Sequence, residues 1–176
     1  FISDGNFSDF FIITARTDHN KGYRGISTFI IDKKTPGLAV GIDQPMMGLR
    51  GTSHVELFFD NVKLGPESLL GKEGEGFKLA LKTLGRIRLG QIGARAIGKS
   101  TRILDLSIDY AKKRIQFGES IDQYQMIQQM LADSAIEINS SRLALYQTAW
   151  GIDQGAEVRA SISMVKVQSS ETLCRI

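Results

Sequence analysis

The apolar residues of this chain change their period once, near Gly74, and that change limits the fold to a β part followed by a helical part. Before it, apolar segments are short and separated by turn residues. Phe10-Phe11-Ile12-Ile13, ending at Ala15 and Arg16, reads as a strand, the polar residues 17–23 as a hairpin-type loop, and residues 26–31, β-branched and aromatic, as a second strand. Thr35-Pro36-Gly37 is a turn, because proline presets φ and glycine accepts positive φ. Residues 38–42 and 55–62 bring the count to at least four strands. Such closely spaced strands predict an antiparallel barrel or sandwich.

Pro66, Gly71, Gly74 and Gly76 mark the join. Beyond it, Ile103, Leu106 and Tyr110 recur at helical spacing, as do Leu104, Ile108, Ala111 and Ile115, and Gly118 ends the element. A second helix carries Ile127, Leu131, Ser134, Ile138, Leu145 and Ala149 on one face and closes between Gly151 and Gly155; a third carries Val158, Ile162, Val165 and Leu173. Three amphipathic helices with short joins predict part of an antiparallel bundle. No strand–helix–strand repeat occurs, which disfavours a doubly wound sheet. The expected fold is α+β: a β-barrel or sandwich over residues 1–70, then part of a four-helix bundle over 74–176.

The 176 residues have a formal charge of only +3, scattered along the chain, with no basic run suited to a nucleic-acid backbone. No apolar stretch approaches the roughly 20 residues of a membrane span. One cysteine, Cys174, excludes an internal disulfide framework, and with two distant histidines, His19 and His54, it makes no closed zinc site. No initiator Met or targeting segment is visible. Apolar Phe1 and Ile2 lead at once into a Ser3-Asp4-Gly5 turn, and residues 165–176 keep helical spacing without a stop, so the chain is expected to be a fragment cut at both ends.

Generic chemical signals are weak. Gly71-Lys72-Glu73-Gly74-Glu75-Gly76 lacks the Lys-Ser/Thr pair of a phosphate loop and reads as a flexible helix entry. His54, at a strand start, has no acid or cysteine partner placed by sequence and reads as structural or exposed. Glu56 and Asp60, an even number apart on one strand, share a solvated face. Cys174 reads as a small core residue, and Met126 and Met130 as a helix core face.

Several segments, in order, resemble the acyl-CoA dehydrogenases, a flavoprotein family. Phe1-Ile2-Ser3-Asp4-Gly5 is similar to the segment lying against the flavin ring. Gly25-Ile26-Ser27-Thr28-Phe29-Ile30-Ile31 with Thr35-Pro36-Gly37, and Met47-Gly48-Leu49-Arg50-Gly51-Thr52-Ser53 leading into Val55-Glu56-Leu57-Phe58-Phe59-Asp60-Asn61-Val62, resemble the middle domain. Leu70-Gly71, Gly74-Glu75-Gly76-Phe77, Tyr110-Ala111-Lys112-Lys113-Arg114-Ile115-Gln116-Phe117-Gly118, Gln125 and Met130-Leu131-Ala132-Asp133 continue the likeness to the end. The resemblance implies most of a middle β-barrel domain and the first three helices of a C-terminal four-helix bundle.

It also implies a chemistry. FAD is the expected cofactor, and the expected reaction is α,β-dehydrogenation of a fatty acyl-CoA thioester, as in β-oxidation: a carboxylate takes the α proton and the β hydrogen leaves as hydride to flavin N5. By resemblance, Phe1, Ile2 and Ser3 line the ring, with Ser3 bonding near N5 and Phe1 packed on the isoalloxazine. Arg114 matches the arginine that in the family reaches the FAD pyrophosphate of a neighbouring subunit, a role its planar fork suits. Gln116 and Phe117 match its companions, and Tyr124 and Gln125 a further cofactor-contacting pair. On the residues alone, Arg114 reads as a helix-end cation facing the negative end of the dipole, and both roles can hold together. Arg88 matches an arginine near the thioester, although Gly85 stands where some members have an acid.

No catalytic base is assigned. One family position for it holds Ile87, which takes no proton, and the other lies beyond Ile176; Glu75, Glu119 and Glu137 match neither. The fragment alone is therefore expected to be inactive. Expected partners are the acyl-CoA substrate, an electron-transfer flavoprotein as acceptor and copies of the chain in a homotetramer. The compartment would be the cytoplasm of a bacterium or the mitochondrial matrix of a eukaryote. Two alternatives stay open: an acyl-CoA oxidase or flavin monooxygenase of the same superfamily, and a non-enzymatic helical interaction module.

Overall fold

Alternation along the first strands sets the β part. The computed structural model describes residues 2–176. Phe10–Arg16 (β2) and Ile26–Asp32 (β3) pair antiparallel in unbroken register, Phe11 opposite Ile31, and these two side chains are buried while Phe10 and Ile12 face outward. Ile2–Ser3 (β1), Leu38–Asp43 (β4) and His54–Phe59 (β5) form a second sheet in the order β1-β5-β4, and Leu69–Leu70 (β6) extends the first to β2-β3-β6. The described strands thus make two open three-stranded antiparallel sheets rather than a closed barrel, and the fold is α+β. β5 stops at Phe59, so Asp60 lies in the following turn, where its N–H donates to the Gly37 carbonyl; it does not share a strand face with Glu56.

The expected loop at 17–23 contains a short 3₁₀ stretch, His19–Gly25, capped by the Asp18 carboxylate on Asn20 N–H at 2.8 Å. The glycine-rich join is anchored instead of flexible. Gly74 N–H donates to Ser27 Oγ at 2.9 Å, and a Cβ on Gly76 would lie 2.5 Å from the Ser27 backbone. Only glycine allows the helix start to sit this close to β3. Phe77 then meets the Tyr23 ring at 6.2 Å between centroids.

Gly76–Arg88 (α1) passes through a π-helical stretch, Leu89–Ala94, into Arg95–Lys113 (α2); Gln125–Asp153 (α3) and Arg159–Arg175 (α4) follow. The chain divides into two compact units, one ending at Leu81 and the other spanning Lys82–Ile176. Within the second unit Leu89, Ile162 and Val165 form a buried cluster against Ala144, Leu145, Ile152 and Val158. Around it runs a seam of small hydroxylated residues, Ser100, Ser141, Thr148, Ser169 and Thr172, all buried. Thr148 and Ser169 donate to carbonyls one turn back, Ala144 at 2.8 Å and Val165 at 2.7 Å, which lets polar side chains sit between closely packed helices.

Three expectations fail in this unit. The first helix ends at Lys113, so Ile115 belongs to an extended segment and not to the helix. Cys174 is exposed, because α4 turns Ile162, Val165, Ser169 and Thr172 inward and leaves Cys174 off that line. Met126 and Met130 are 72% and 59% exposed. Met130 lines an apolar groove with Ile103, Leu106, Tyr110, Ile127 and Leu131, a face that three helical rods leave uncovered. No described helix is long and apolar enough to cross a membrane.

Candidate functional site

The sequence-predicted residues fall into two groups, one in each unit. In the sheet unit Ile2 and Ser3 lie on β1, paired with Val55 and His54 of β5. Phe1 lies outside the described residues. The two-residue strand is held by contacts from the turn after it: Asp4 N–H donates to the Ser53 carbonyl at 2.7 Å, and Asn6 N–H to Ser53 Oγ at 3.2 Å. Lys33 Nζ donates to the carbonyls of Gly5 and Asn6 at 3.2 and 2.7 Å. Asp4 takes a left-handed φ of 59°, which turns the chain away immediately after Ser3. Both Ile2 and Ser3 are exposed, so the hydroxyl is presented outward from a fixed backbone.

Ser3 Oγ lies 3.0 Å from His54 Nε2. His54 Nδ1 is buried and has no partner among the described residues. This pairing of a site residue with a histidine was not readable from the sequence, since it depends on strand register across 51 residues. Ser53 and Val55, fully buried on either side, fix the strand that carries the ring.

In the helical unit α2 ends and the chain turns back on itself. Arg114 is extended, its N–H donating to the Tyr110 carbonyl and its carbonyl accepting from Ile121 N–H, both at 2.9 Å. Ile115–Gln116 (β7) pairs with Glu119–Ser120 (β8), with Gln116 opposite Glu119. Phe117 and Gly118 fill the two turn positions with φ of 53° and 90°, the pattern of a type I′ hairpin. Glycine accepts this readily; a bulky phenylalanine does so at a cost of about 1–2 kcal/mol. Phe117 is nonetheless 96% exposed, so no packing within the described residues offsets that strain.

The same hairpin gathers the other expected residues. Tyr124 Oη donates to the Gln116 carbonyl at 2.7 Å, and Gln125 begins α3. Ser120 Oγ donates to Asp122 Oδ1 at 2.5 Å, and Gln123 Nε2 to the same oxygen at 3.2 Å. The Ser120 hydroxyl first, then the Gln123 amide, hold the Asp122 carboxyl below its ordinary range. The Arg114 guanidinium is exposed and has no hydrogen-bond or ion-pair partner among the described residues.

Arg88 ends α1 at the entry to the π-helical stretch and is exposed, as is Ile87 beside it. A Cβ on Gly85 would meet only Ile162 Cδ1, at 3.8 Å, so the backbone there has room for a side chain. Of the carboxylates considered, Glu137 is bound by Arg175 through Nη2 at 2.7 Å, while Glu75 and Glu119 are exposed. No cluster of three or more metal-ligating side chains occurs among the described residues.

Comparison with known proteins supplies the family. Residues 1–62 match the acyl-CoA dehydrogenase middle domain and residues 74–176 the acyl-CoA dehydrogenase C-terminal domain. A cyclohex-1-ene-1-carbonyl-CoA dehydrogenase from Geobacter metallireducens is 36% identical over all of this chain, which spans 46% of that protein. The butyryl-CoA dehydrogenase structure from Megasphaera elsdenii superposes with a TM-score of 0.92 at 35% identity, over 98% of this chain and 45% of its own. A structure of PigA with FAD and proline gives 0.95 at 33% identity, over 99% of this chain and 45% of its own. The chain thus spans about half the length of the curated relatives it matches.

Proposed function

Because the chain belongs to the acyl-CoA dehydrogenase family, we propose that the protein containing it carries out FAD-dependent α,β-dehydrogenation of an acyl-CoA thioester. The observation that carries this reading is the Arg114–Phe117 hairpin. It presents an unpaired guanidinium beside an exposed phenylalanine in a left-handed turn. Neither arrangement stabilises the chain by itself, and local strain of this kind is found where a site is being shaped.

Taken separately, the residues of each unit fit a part of FAD. Arg114 would supply a charged fork for the pyrophosphate of a neighbouring subunit's FAD. Phe117, Gln116, Tyr124 and Gln125 supply an aromatic surface and amides beside it. Ile2 supplies an apolar contact for the ring, and Ser3 an outward hydroxyl. When bound, FAD supplies the hydride-accepting chemistry that no side chain offers. Arg88, exposed at the end of α1, would hold the thioester end of the substrate. Ile87 takes no proton, so no base is assigned at its position. An electron-transfer flavoprotein would reoxidise the enzyme, and the full-length protein would assemble as a homotetramer.

The full-length protein tests the reading. It should purify with flavin absorbance, run as a tetramer by light scattering, and lose that absorbance on anaerobic addition of acyl-CoA. A protein that carries no flavin and takes up none from added FAD would favour the interaction-module alternative. Hydrogen peroxide formed in step with substrate under air would favour the oxidase.

A further inference from the structure

We propose that His54 acts through Ser3: its Nε2–H fills the acceptor side of the Ser3 hydroxyl and so reserves the hydroxyl proton for the flavin. This rests on the proposed reading of Ser3 as the ring-facing hydroxyl, and it makes His54 a positioning residue.

The geometry restricts what the pair can do. A neutral imidazole carries its proton on one nitrogen or the other. With the proton on Nδ1, a buried N–H would have no acceptor among the described residues, and Nε2 would take the Ser3 proton inward. With the proton on Nε2, only a lone pair is left unmatched at Nδ1, the milder of the two defects. Nε2–H then donates to Ser3 Oγ over 3.0 Å, and the hydroxyl, whose oxygen is now engaged, turns its own proton outward.

The backbone keeps the ring in place. His54 N–H donates to Asp43 Oδ1 at 2.8 Å, and its carbonyl accepts from Gln44 N–H at 2.8 Å. Ser3 and His54 are direct cross-strand partners, so the side chains stand on one face of the sheet. The Asp4 turn and the Ser53 contacts hold the other strand. A hydroxyl alone rotates freely; this one is oriented by a half-buried ring on a fixed strand.

The test uses the full-length holoenzyme and five forms: wild type, Ser3→Ala, His54→Leu, His54→Gln and the Ser3→Ala/His54→Leu pair. The flavin midpoint potential and visible absorbance bands are measured first, and the rate of flavin reduction by acyl-CoA second. His54→Leu should move the potential and bands in the same direction as Ser3→Ala and slow reduction about two- to tenfold. Gln places an amide N–H near the position of Nε2 and should recover most of the wild-type values. The double variant should go no further than Ser3→Ala alone. His54→Val, a good strand former, replaces His54→Leu if the latter does not fold as holoenzyme. Wild-type spectra and potential in the leucine or valine variant, no recovery with Gln, or additive shifts in the double variant would each overturn the role of His54 while leaving Ser3 in place. An unchanged flavin in Ser3→Ala would instead remove the reading of Ser3 itself, and the inference with it.

Discussion

Tyr124 Oη donates to the main-chain carbonyl of Gln116 across 2.7 Å, and this one bond ties the start of α3 to the hairpin after α2. It joins two residues expected separately as cofactor contacts. The phenol proton is therefore committed to holding Gln116 and the neighbouring turn, leaving the ring face and the oxygen's acceptor side available to a ligand.

Tyr124→Phe should accordingly keep any ring contact and lose only the tie. A neutral hydrogen bond is worth about 0.5–1.5 kcal/mol net. The full-length variant should bind FAD about two- to tenfold more weakly, and amides of residues 115–120 should exchange faster with solvent. Unaltered exchange in the hairpin would show that the backbone pairing of β7 and β8 suffices without the tyrosine.

Arg114 gives a second, larger effect. If its guanidinium meets the pyrophosphate, Arg114→Ala removes a charge-assisted bond worth roughly 1.5–3 kcal/mol, or about one to two decades in FAD affinity. If that FAD is held by a neighbouring subunit, the variant should also dissociate more readily on dilution. Lysine should rescue only in part, since a point charge does not reproduce the fork. Titration of FAD into apoprotein at matched subunit concentration decides it: equal affinity and equal assembly would reduce Arg114 to a helix-end charge.

The pattern of these residues explains which features the sequence makes legible. Phe11 and Ile31 announce β2 and β3 by alternation, and Ile162 and Val165 announce α4 by helical spacing, because each signal is local and repeated. β1 is two residues long and exists only through its pairing with β5, so no local pattern marks it. The same holds for His54, whose partner lies 51 residues away. Ser141 and Thr172, 3.3 Å apart in the buried seam, look polar in sequence yet serve as small packing residues. The hairpin at Phe117-Gly118 was hidden because Ile115 continues the helical spacing of α2, while the positive φ of both turn residues is a property of the backbone. The cofactor contacts expected in both groups rest on family likeness, which composition and period do not provide.

Glu137 and Arg175 join α3 to α4 by a two-pronged contact, and the guanidinium holds the glutamate carboxyl below its usual range. A carboxylate whose pKa is depressed on folding stabilises the fold above its unfolded pKa of about 4.3 and loses that contribution as pH falls through the lower, folded value. The clip should therefore open in acid and be insensitive to a rise from pH 6 to pH 8. Both side chains are exposed, so added salt should weaken it as well. Hydrogen exchange in the last turn of α4, compared between wild type and Glu137→Gln, should differ at neutral pH and converge in acid, as pH falls through the depressed folded value of Glu137. A difference that persists in acid would mean that the substituted amide disturbs packing instead of removing an ion pair.

Phe117 carries a left-handed backbone that its exposed ring does not offset. Its φ of 53° costs about 1–2 kcal/mol relative to a residue that accepts the left-handed region, and asparagine before glycine is the favoured pair for this turn. Phe117→Asn should stabilise the hairpin by about 1 kcal/mol and slow exchange of the β7–β8 amides. It should also remove a large, fully presented aromatic surface from beside Arg114. If that surface packs on FAD, the variant will be the more stable apoprotein and the poorer cofactor binder, with a raised unfolding temperature and a weaker FAD titration. Comparing Phe117→Asn with Phe117→Tyr separates the two contributions, because tyrosine keeps the aromatic face and the strain together. Tyrosine should bind FAD nearly as the wild type does and gain no stability. A Phe117→Asn protein that gains stability and retains full FAD affinity would leave the strained phenylalanine without a role in the cofactor site.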